Sequence, residues 1–243
     1  MPGMSVTARA LRVLETFSPR YRLLALTDIA RRAGLPLSTV HRLVAELTAW
    51  GALERADDGR YRIGLRLWEV ATLAPRGLGL REAALPFLED LYEATHQNVH
   101  LAVRDGTEAL YLERLSGRAA VAVVSRVGGR LPLHATGVGL VLLAHAPVEL
   151  QEAVLAGPLE RFTSRTVTSP PALRRLLAQV RRTRVAVSDG LLDLAALSVA
   201  APVAHPEDGV VAALSVVVPS THDAAVYVPA VRAAARGVSR VLA

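Results

Sequence analysis

The 243-residue sequence contains no cysteine. That excludes disulfides, thiolate metal sites and nucleophilic cysteine chemistry, and the fold must stand on packing alone. Lysine is absent too, so the basic side chains other than histidine are all arginine. Aromatic residues are scarce at 4%, which leaves leucine, valine and alanine to build the core. No long hydrophobic run occurs. The most apolar stretch, residues 137–147, falls well short of the roughly 20 residues that a membrane-spanning helix needs. The opening residues MPGMSVTARALRVLE hold no extended apolar segment of the signal-peptide kind, so a cytoplasmic protein is expected. Hydrophobic residues nevertheless make up 51% of the chain, which excludes a polar disordered chain and allows a large buried core.

What is present is unevenly placed. Residues 1–66 carry 11 arginines against 6 acidic residues, a net of +5; residues 67–243 carry 17 against 16, a net of +1. A small basic head on a near-neutral body is the electrostatic footprint of nucleic-acid binding.

The head also has a recognisable order of elements. Val6, Ala10, Val13, Leu14 and Phe17 fall on one face of a helix that Ser18-Pro19 ends. Thr27 reads as the N-cap of a second helix, with Asp28 in its first turn and Gly34 as its stop. A third helix is expected over residues 37–50, with Val40, Leu43, Val44 and Leu47 as its buried stripe. Ser38, Thr39 and Arg42 share another face, and short hydroxyls with an arginine near a helix start can reach base edges and phosphates in a major groove. His41 sits beside them, toward DNA or solvent. Residues 53–55 and 61–63 then read as two short strands around the turn Asp57-Asp58-Gly59. Arg55, Arg60 and Arg62 lie on or beside this hairpin. The whole reads as a winged helix-turn-helix with double-stranded DNA as its expected partner, and its expected contact set is Thr27, Ser38, Thr39, His41, Arg42, Arg55, Arg60 and Arg62.

A helix should continue from Gly64 to about Ala74, and Pro75-Arg76-Gly77-Leu78-Gly79 marks a hinge. The expected organisation is a DNA-binding domain over 1–66, a linking helix and hinge over 67–79, and a larger domain over 80–243. In the larger domain, helices are expected over 80–97, 137–145, 171–184 and 229–242. Strands are expected over 99–103, 109–112, 119–127, 185–187, 197–203 and 210–218, and residues 128–132 read as a loop. This mixture makes an α+β fold with an antiparallel sheet. The helix over 171–184 carries Arg174, Arg175, Arg181, Arg182 and Arg184 on its outer face, a pattern of solvation or of an acidic partner.

Enzyme signatures fail. His96 and His100 have the spacing of a zinc-protease helix, but Gln97 stands where the base would be and Val99-His100-Leu101 reads as strand, which makes His100 a half-buried structural residue. No G-x-S-x-G elbow and no P-loop occurs, and the pairs Gly77/Gly79 and Gly137/Gly139 lack the third glycine of a dinucleotide fingerprint. Neither a catalytic residue nor a metal or other cofactor is expected.

Several segments taken together resemble the IclR-type bacterial transcription regulators: LTDIARRAGLPLSTVHRLVAELTAWGALER, GRYRIGLRLWEVA, VGGRLPLHATGVG, and LSVAAPV followed by VVAALSV. The resemblance keeps its order over nearly the whole chain. It implies a GAF/PAS-like effector domain with about six antiparallel strands, and homodimers, often paired into tetramers, on pseudo-palindromic operators. It also implies a pocket for a small organic acid beside the loop Ala135-Thr136-Gly137-Val138. Val121 and Val124 would wall that pocket, with Ser188, Ser198 and Ser215 supplying hydrogen bonds. The family's frequent lysine after this loop is missing, since the sequence reads Gly139-Leu140-Val141. An often acidic position is Ser188, a common cysteine is Ser198, and the second serine of a frequent pair is Val217. These departures point to a less charged pocket and a larger effector, an aromatic or branched carboxylic acid. The rival reading is a metabolite-binding interaction module that has lost DNA binding.

Overall fold

In a computed structural model, residues 4–117 and 120–243 are described, without the side chains of residues 75 and 76. The chain divides into two compact units, Met1–Pro75 and Arg76–Ala243.

Among the described residues the first unit is four helices and a hairpin. Helix α1 (Val6–Leu14) is capped by the Ser5 hydroxyl, which accepts from the Ala8 N–H at 3.1 Å. It ends three residues before the position that the apolar stripe suggested. Helix α2 (Leu26–Ala33) starts one residue before Thr27, with Ala25 as its N-cap and no side-chain cap bond. Thr27 thus lies inside the first turn rather than capping it, because Ala25 already has the extended backbone that a cap position needs. Gly34 stops α2 in the left-handed region at φ 64°. Helix α3 (Leu37–Trp50) ends likewise at Gly51, φ 88°. Strands β1 (Leu53–Arg55) and β2 (Tyr61–Ile63) pair antiparallel, and helix α4 (Leu65–Ala71) follows. The core is Val13, Ile29, Val40, Leu43, Val44 and Leu53, all within 1% of full burial.

The second unit begins with a π-helical turn (Pro75–Gly79) that runs into α5 (Leu80–Thr95). Strands β3 (Asn98–Asp105) and β4 (Glu108–Leu115) form a hairpin. Residues 120–127, expected to be strand, form none; the short strand β5 is Arg130–Pro132, within the expected loop over 128–132, and pairs with β4. Ala119, the first residue of the expected strand, lies outside the described residues. Helices α6 (Gly137–Ala144), α7 (Val148–Ala156) and α8 (Pro170–Thr183) follow, then β6 (Ala186–Asp189), β7 (Ala196–His205), β8 (Gly209–Pro219) and α9 (Ala224–Val241). The sheet is six-stranded and antiparallel throughout, in the order β5-β4-β3-β8-β7-β6.

Side-chain alternation gives this sheet two unlike faces. Val99, Leu101, Val199, Ala201, Leu214, Val216 and Val218 pack with α5 and α9 through Leu88, Leu91, Val231 and Val238. The opposite face carries small residues, Ala102, Ala200 and Ala213, against α6 and α8. Small side chains let α6 lie close to the sheet, and all eight of its residues are buried. A Cβ on Gly137 would come within 2.5 Å of Ser198 Oγ, so only glycine permits this approach.

Candidate functional site

Two sites stand out, one in each unit. On the first, α3 presents Ser38, His41 and Arg42 to solvent, with Thr39 half-buried at the edge of the same surface. Thr27 is exposed on α2. Arg55, Arg60 and Arg62 are exposed on the hairpin. Three of these arginines hold ion pairs: Arg42 with Glu46 at 2.9 Å, Arg60 with Asp58 at 2.6 Å and Arg62 with Glu54 at 2.9 Å. Arg55 makes no ion pair among the described residues. Exposed pairs of this kind are worth about 0–1 kcal/mol, so exchanging a carboxylate for a phosphate is inexpensive. Glu54 has a second partner: it accepts from the Leu65 N–H at 3.0 Å, tying the hairpin to the start of α4. That bond and the Arg62 guanidinium hold its carboxyl below the usual range. On α4 and just beyond it, Leu65, Trp68, Val70 and Leu73 are all more than half exposed, an apolar surface that a lone chain leaves in water.

The second site is a cavity of about 490 Å³, mouth included, between the small-residue face of the sheet and the start of α6. Ala135, Thr136, Gly137 and Val138 form one end, and Ser188, Ser198 and Ser215 line the sheet side, as expected from the sequence. The antiparallel register explains the serines. Ser188 lies opposite Ser198, and Ser215 lies opposite both Ala200 and His100. At the helix start the Thr136 hydroxyl accepts from the Gly139 N–H at 3.1 Å, while the N–H groups of the first turn have no partner within the helix. An anion placed there meets those donors and the positive end of the helix dipole.

Three expectations fail. Val121 does not line the cavity: residues 120–129 are not a strand, and the Val121 carbonyl is turned to accept from Asn98 Nδ2 at 2.8 Å. Val124 does touch the cavity but is 64% exposed, so it belongs to the rim and not to an apolar wall. His100 is not half-buried; it is 2% exposed and lines the cavity on β3. Its Nε2 lies 3.0 Å from Ser125 Oγ and its ring meets Tyr111 edge-on at 5.3 Å. Burial, aided by the nearby Arg114 charge, pushes the imidazole down to about 3, so it is neutral at physiological pH. Burial also pushes the Tyr111 hydroxyl up, keeping it protonated. Sequence reasoning missed His100, Tyr111 and Ser125 as pocket residues. Strand alternation puts His100 on the face of Ala102, but nothing local shows that this face fronts a cavity.

Among the described residues the lining contains no arginine, and Asp193 is the one carboxylate. Ser215 is 1% exposed, and its hydroxyl has no hydrogen-bond partner among the described residues. A buried polar atom left without a partner inside a cavity wall points to a ligand group. Arg114 secures the segment above the cavity by donating to the Ser125 carbonyl at 2.9 Å.

His96 takes left-handed backbone after α5 at φ 50°, while His100 lies in β3, so no helix carries both. Among the described residues no group of three metal-ligating side chains clusters, and no helix is long and apolar enough to cross a membrane.

Comparison with known proteins matches each unit to a domain of one family. Residues 6–57 match the model of the IclR helix-turn-helix domain, and residues 73–240 match that of the bacterial transcriptional regulator IclR C-terminal domain. The HTH-type transcriptional regulator XynR of Escherichia coli (strain K12) is 36% identical over 217 residues, 88% of this chain and 86% of that protein. The crystal structure of an IclR homolog complexed with 4-hydroxybenzoate, from Microbacterium hydrocarbonoxydans, is similar with a TM-score of 0.94 and 44% identity, covering 98% of this chain and 99% of that one. The Thermotoga maritima IclR structure is similar at a TM-score of 0.81 and 25% identity, over 99% of both chains.

Proposed function

We propose, from the premise that the chain belongs to the IclR family of bacterial transcriptional regulators, that it binds operator DNA as a homodimer, or as a pair of homodimers, and releases or engages it in response to a hydroxylated aromatic monocarboxylic acid. The observation that carries the effector class is the cavity's polarity pattern. Among the described residues it offers backbone N–H donors at one end, a partnerless serine hydroxyl and a neutral histidine on the sheet, and no cation.

In this reading the carboxylate sits at the first turn of α6, where Gly137 permits close approach. The ring lies between Tyr111, Val138 and Leu131, and a ring hydroxyl reaches Ser215 and His100. The pocket residues are Ala135, Thr136, Gly137, Val138, Ser188, Ser198 and Ser215, with His100, Tyr111 and Ser125 added and Val124 at the rim. The 4-hydroxybenzoate held by the Microbacterium homolog supports this class. A second carboxylate has no matching cation among the described lining residues, and Asp193 repels it.

The DNA contacts are Ser38, Thr39, His41 and Arg42 of α3 in a major groove, with Thr27 and the hairpin arginines Arg55, Arg60 and Arg62 on phosphates. Residues 1–66 are the DNA-binding domain, 67–79 the link, and 80–243 the effector domain. The exposed apolar residues of α4 are the place where two copies meet. The effector shifts operator occupancy only by the difference in its affinity for the two states. Such a regulator works in the cytoplasm.

Titration calorimetry with 4-hydroxybenzoate, benzoate and acetate tests the effector class, and a footprint on DNA upstream of the protein's own gene tests operator binding. Binding in the order 4-hydroxybenzoate, benzoate, acetate is expected. Tight binding of acetate with none of the aromatic acids refutes the effector class. Absence of any protected DNA favours the rival interaction module.

A further inference from the structure

A second cleft lies in the same unit, outside the effector cavity. It opens between α7, the C-terminal half of α8 and the β7–β8 hairpin, and holds about 1250 Å³ of empty space open to solvent. Its charged lining is Arg174, Arg181 and Arg184 against a single carboxylate, Glu152, a net of +2. These arginines are part of the basic face of α8 that DNA and effector binding leave unexplained.

Each arginine is held differently. Arg174 is already matched by an ion pair to Glu152. Arg181 has only neutral partners: its Nη1 donates to the Ala144 carbonyl at 3.3 Å and to Gln151 Oε1 at 3.1 Å. Gln151 is itself fixed by donating from Nε2 to the Ala146 carbonyl at 2.9 Å. The Arg181 guanidinium is thus oriented without being neutralised, and its other N–H groups remain free to donate. The Arg184 side chain makes no hydrogen bond or ion pair among the described residues, while its backbone N–H donates to the Val180 carbonyl at 2.7 Å. It follows α8 in left-handed backbone, φ 53° and ψ 31°. Glycine is the usual occupant of that position, because a Cβ is strained there. An arginine tolerated at a strained position, with its charge unmatched beside a cleft, points to a use for that charge.

His145 completes the floor. Its Nδ1 lies 2.9 Å from the Val141 carbonyl, which leaves Nε2 toward the cleft. Burial, and then the charges of Arg184 and Arg181, hold its imidazole below the ordinary histidine value. The remaining walls are apolar, with Val148, Leu155, Ala204 and Val210 among them. The site is shallow and open to solvent, with Val148 66% exposed at its edge, and two guanidinium groups that no carboxylate matches among the described residues beside apolar side chains suit a compact anion with an organic body. Arginine forks recognise carboxylate and phosphate oxygens in pairs.

We propose that this cleft is a second ligand site, separate from the effector cavity, and that it takes a small organic dianion through Arg181 and Arg184. A phosphate monoester and a dicarboxylate share this chemistry, and the test separates them.

Titration calorimetry on the full chain at low salt would use glucose 6-phosphate and phthalate as dianions, with glucose as the neutral control. At least one dianion should bind and glucose should not; the tighter dianion names the source. The informative variant is Arg184→Gly. It removes the cation and relieves the left-handed strain together, so the melting temperature should hold or rise while dianion affinity falls at least tenfold. Arg184→Asn, also suited to left-handed backbone, should behave alike if the glycine variant loosens the helix end. Dianion binding no stronger than glucose overturns the site, and so does unchanged affinity in either folded variant.

Discussion

Ser215→Ala separates a residue kept for a ligand from one kept for the fold. The Ser215 hydroxyl is shut off from solvent on β8, opposite His100, with no partner among the described residues. An unsatisfied buried hydroxyl costs about 1–3 kcal/mol. Removing it while keeping the Cβ relieves that penalty and opens almost no space. The unit Arg76–Ala243 should therefore unfold at a higher temperature, by about 2–4 °C for each 1 kcal/mol recovered. Binding should move the other way. A neutral hydrogen bond to a ligand hydroxyl contributes about 0.5–1.5 kcal/mol, so 4-hydroxybenzoate affinity should fall about 2- to 13-fold. Benzoate, which lacks that hydroxyl, should bind the variant and the parent alike. Thermal unfolding without ligand and titration calorimetry with both acids, in one buffer, give the two readouts. A lower melting temperature with unchanged affinity for both acids would refute the reasoning, since Ser215 would then serve packing alone.

Further outcomes follow from other residues. His100 is neutral in the folded protein, pushed down to about 3 from its ordinary 6.5. The unfolded chain binds that proton first as pH falls, so this contribution to stability is complete above about 6.5 and is lost progressively toward about 3. Urea midpoints at pH 7.5 and 5.0 should differ less in His100→Gln than in the parent; an equal difference contradicts the burial argument. Gly139→Ala places a Cβ 2.4 Å from Thr136 Oγ1 and 2.5 Å from the Leu133 carbonyl oxygen, so a loss of about 1–3 kcal/mol is expected in urea unfolding. Gly79→Ala meets nothing within 4 Å at helical φ and should stabilise by about 0.4–1 kcal/mol. Arg42→Ala should weaken operator binding by at least about 1 kcal/mol, whereas Glu46→Gln frees Arg42 and should strengthen it. Gel-shift titrations at two salt concentrations check both, and unchanged affinity in Arg42→Ala removes it from the interface.

Local rules decided much of this protein before any contact was known. Left-handed glycines at Gly34 and Gly51 and the apolar stripe of α3 are properties of short windows, so helix, turn and hairpin in the first unit are legible from sequence. Alternation in β7 and β8 is equally local, and it placed Ser198 and Ser215 away from Val199 and Val216. What alternation does not tell is which face fronts an empty space. That depends on how closely α6 lies on the sheet, which the close approach of Gly137 to Ser198 fixes across 61 residues of chain. The same limit hid His100, whose partner Ser125 comes from a segment that valine-rich composition made look like strand. That segment forms no strand because it is held from outside, by Asn98 and Arg114, and not by a ladder of its own. Sequence alone fixed where chemistry-bearing residues lie along their elements; only the packed structure decided which of them share a cavity, because that is a sum over distant contacts that no window contains.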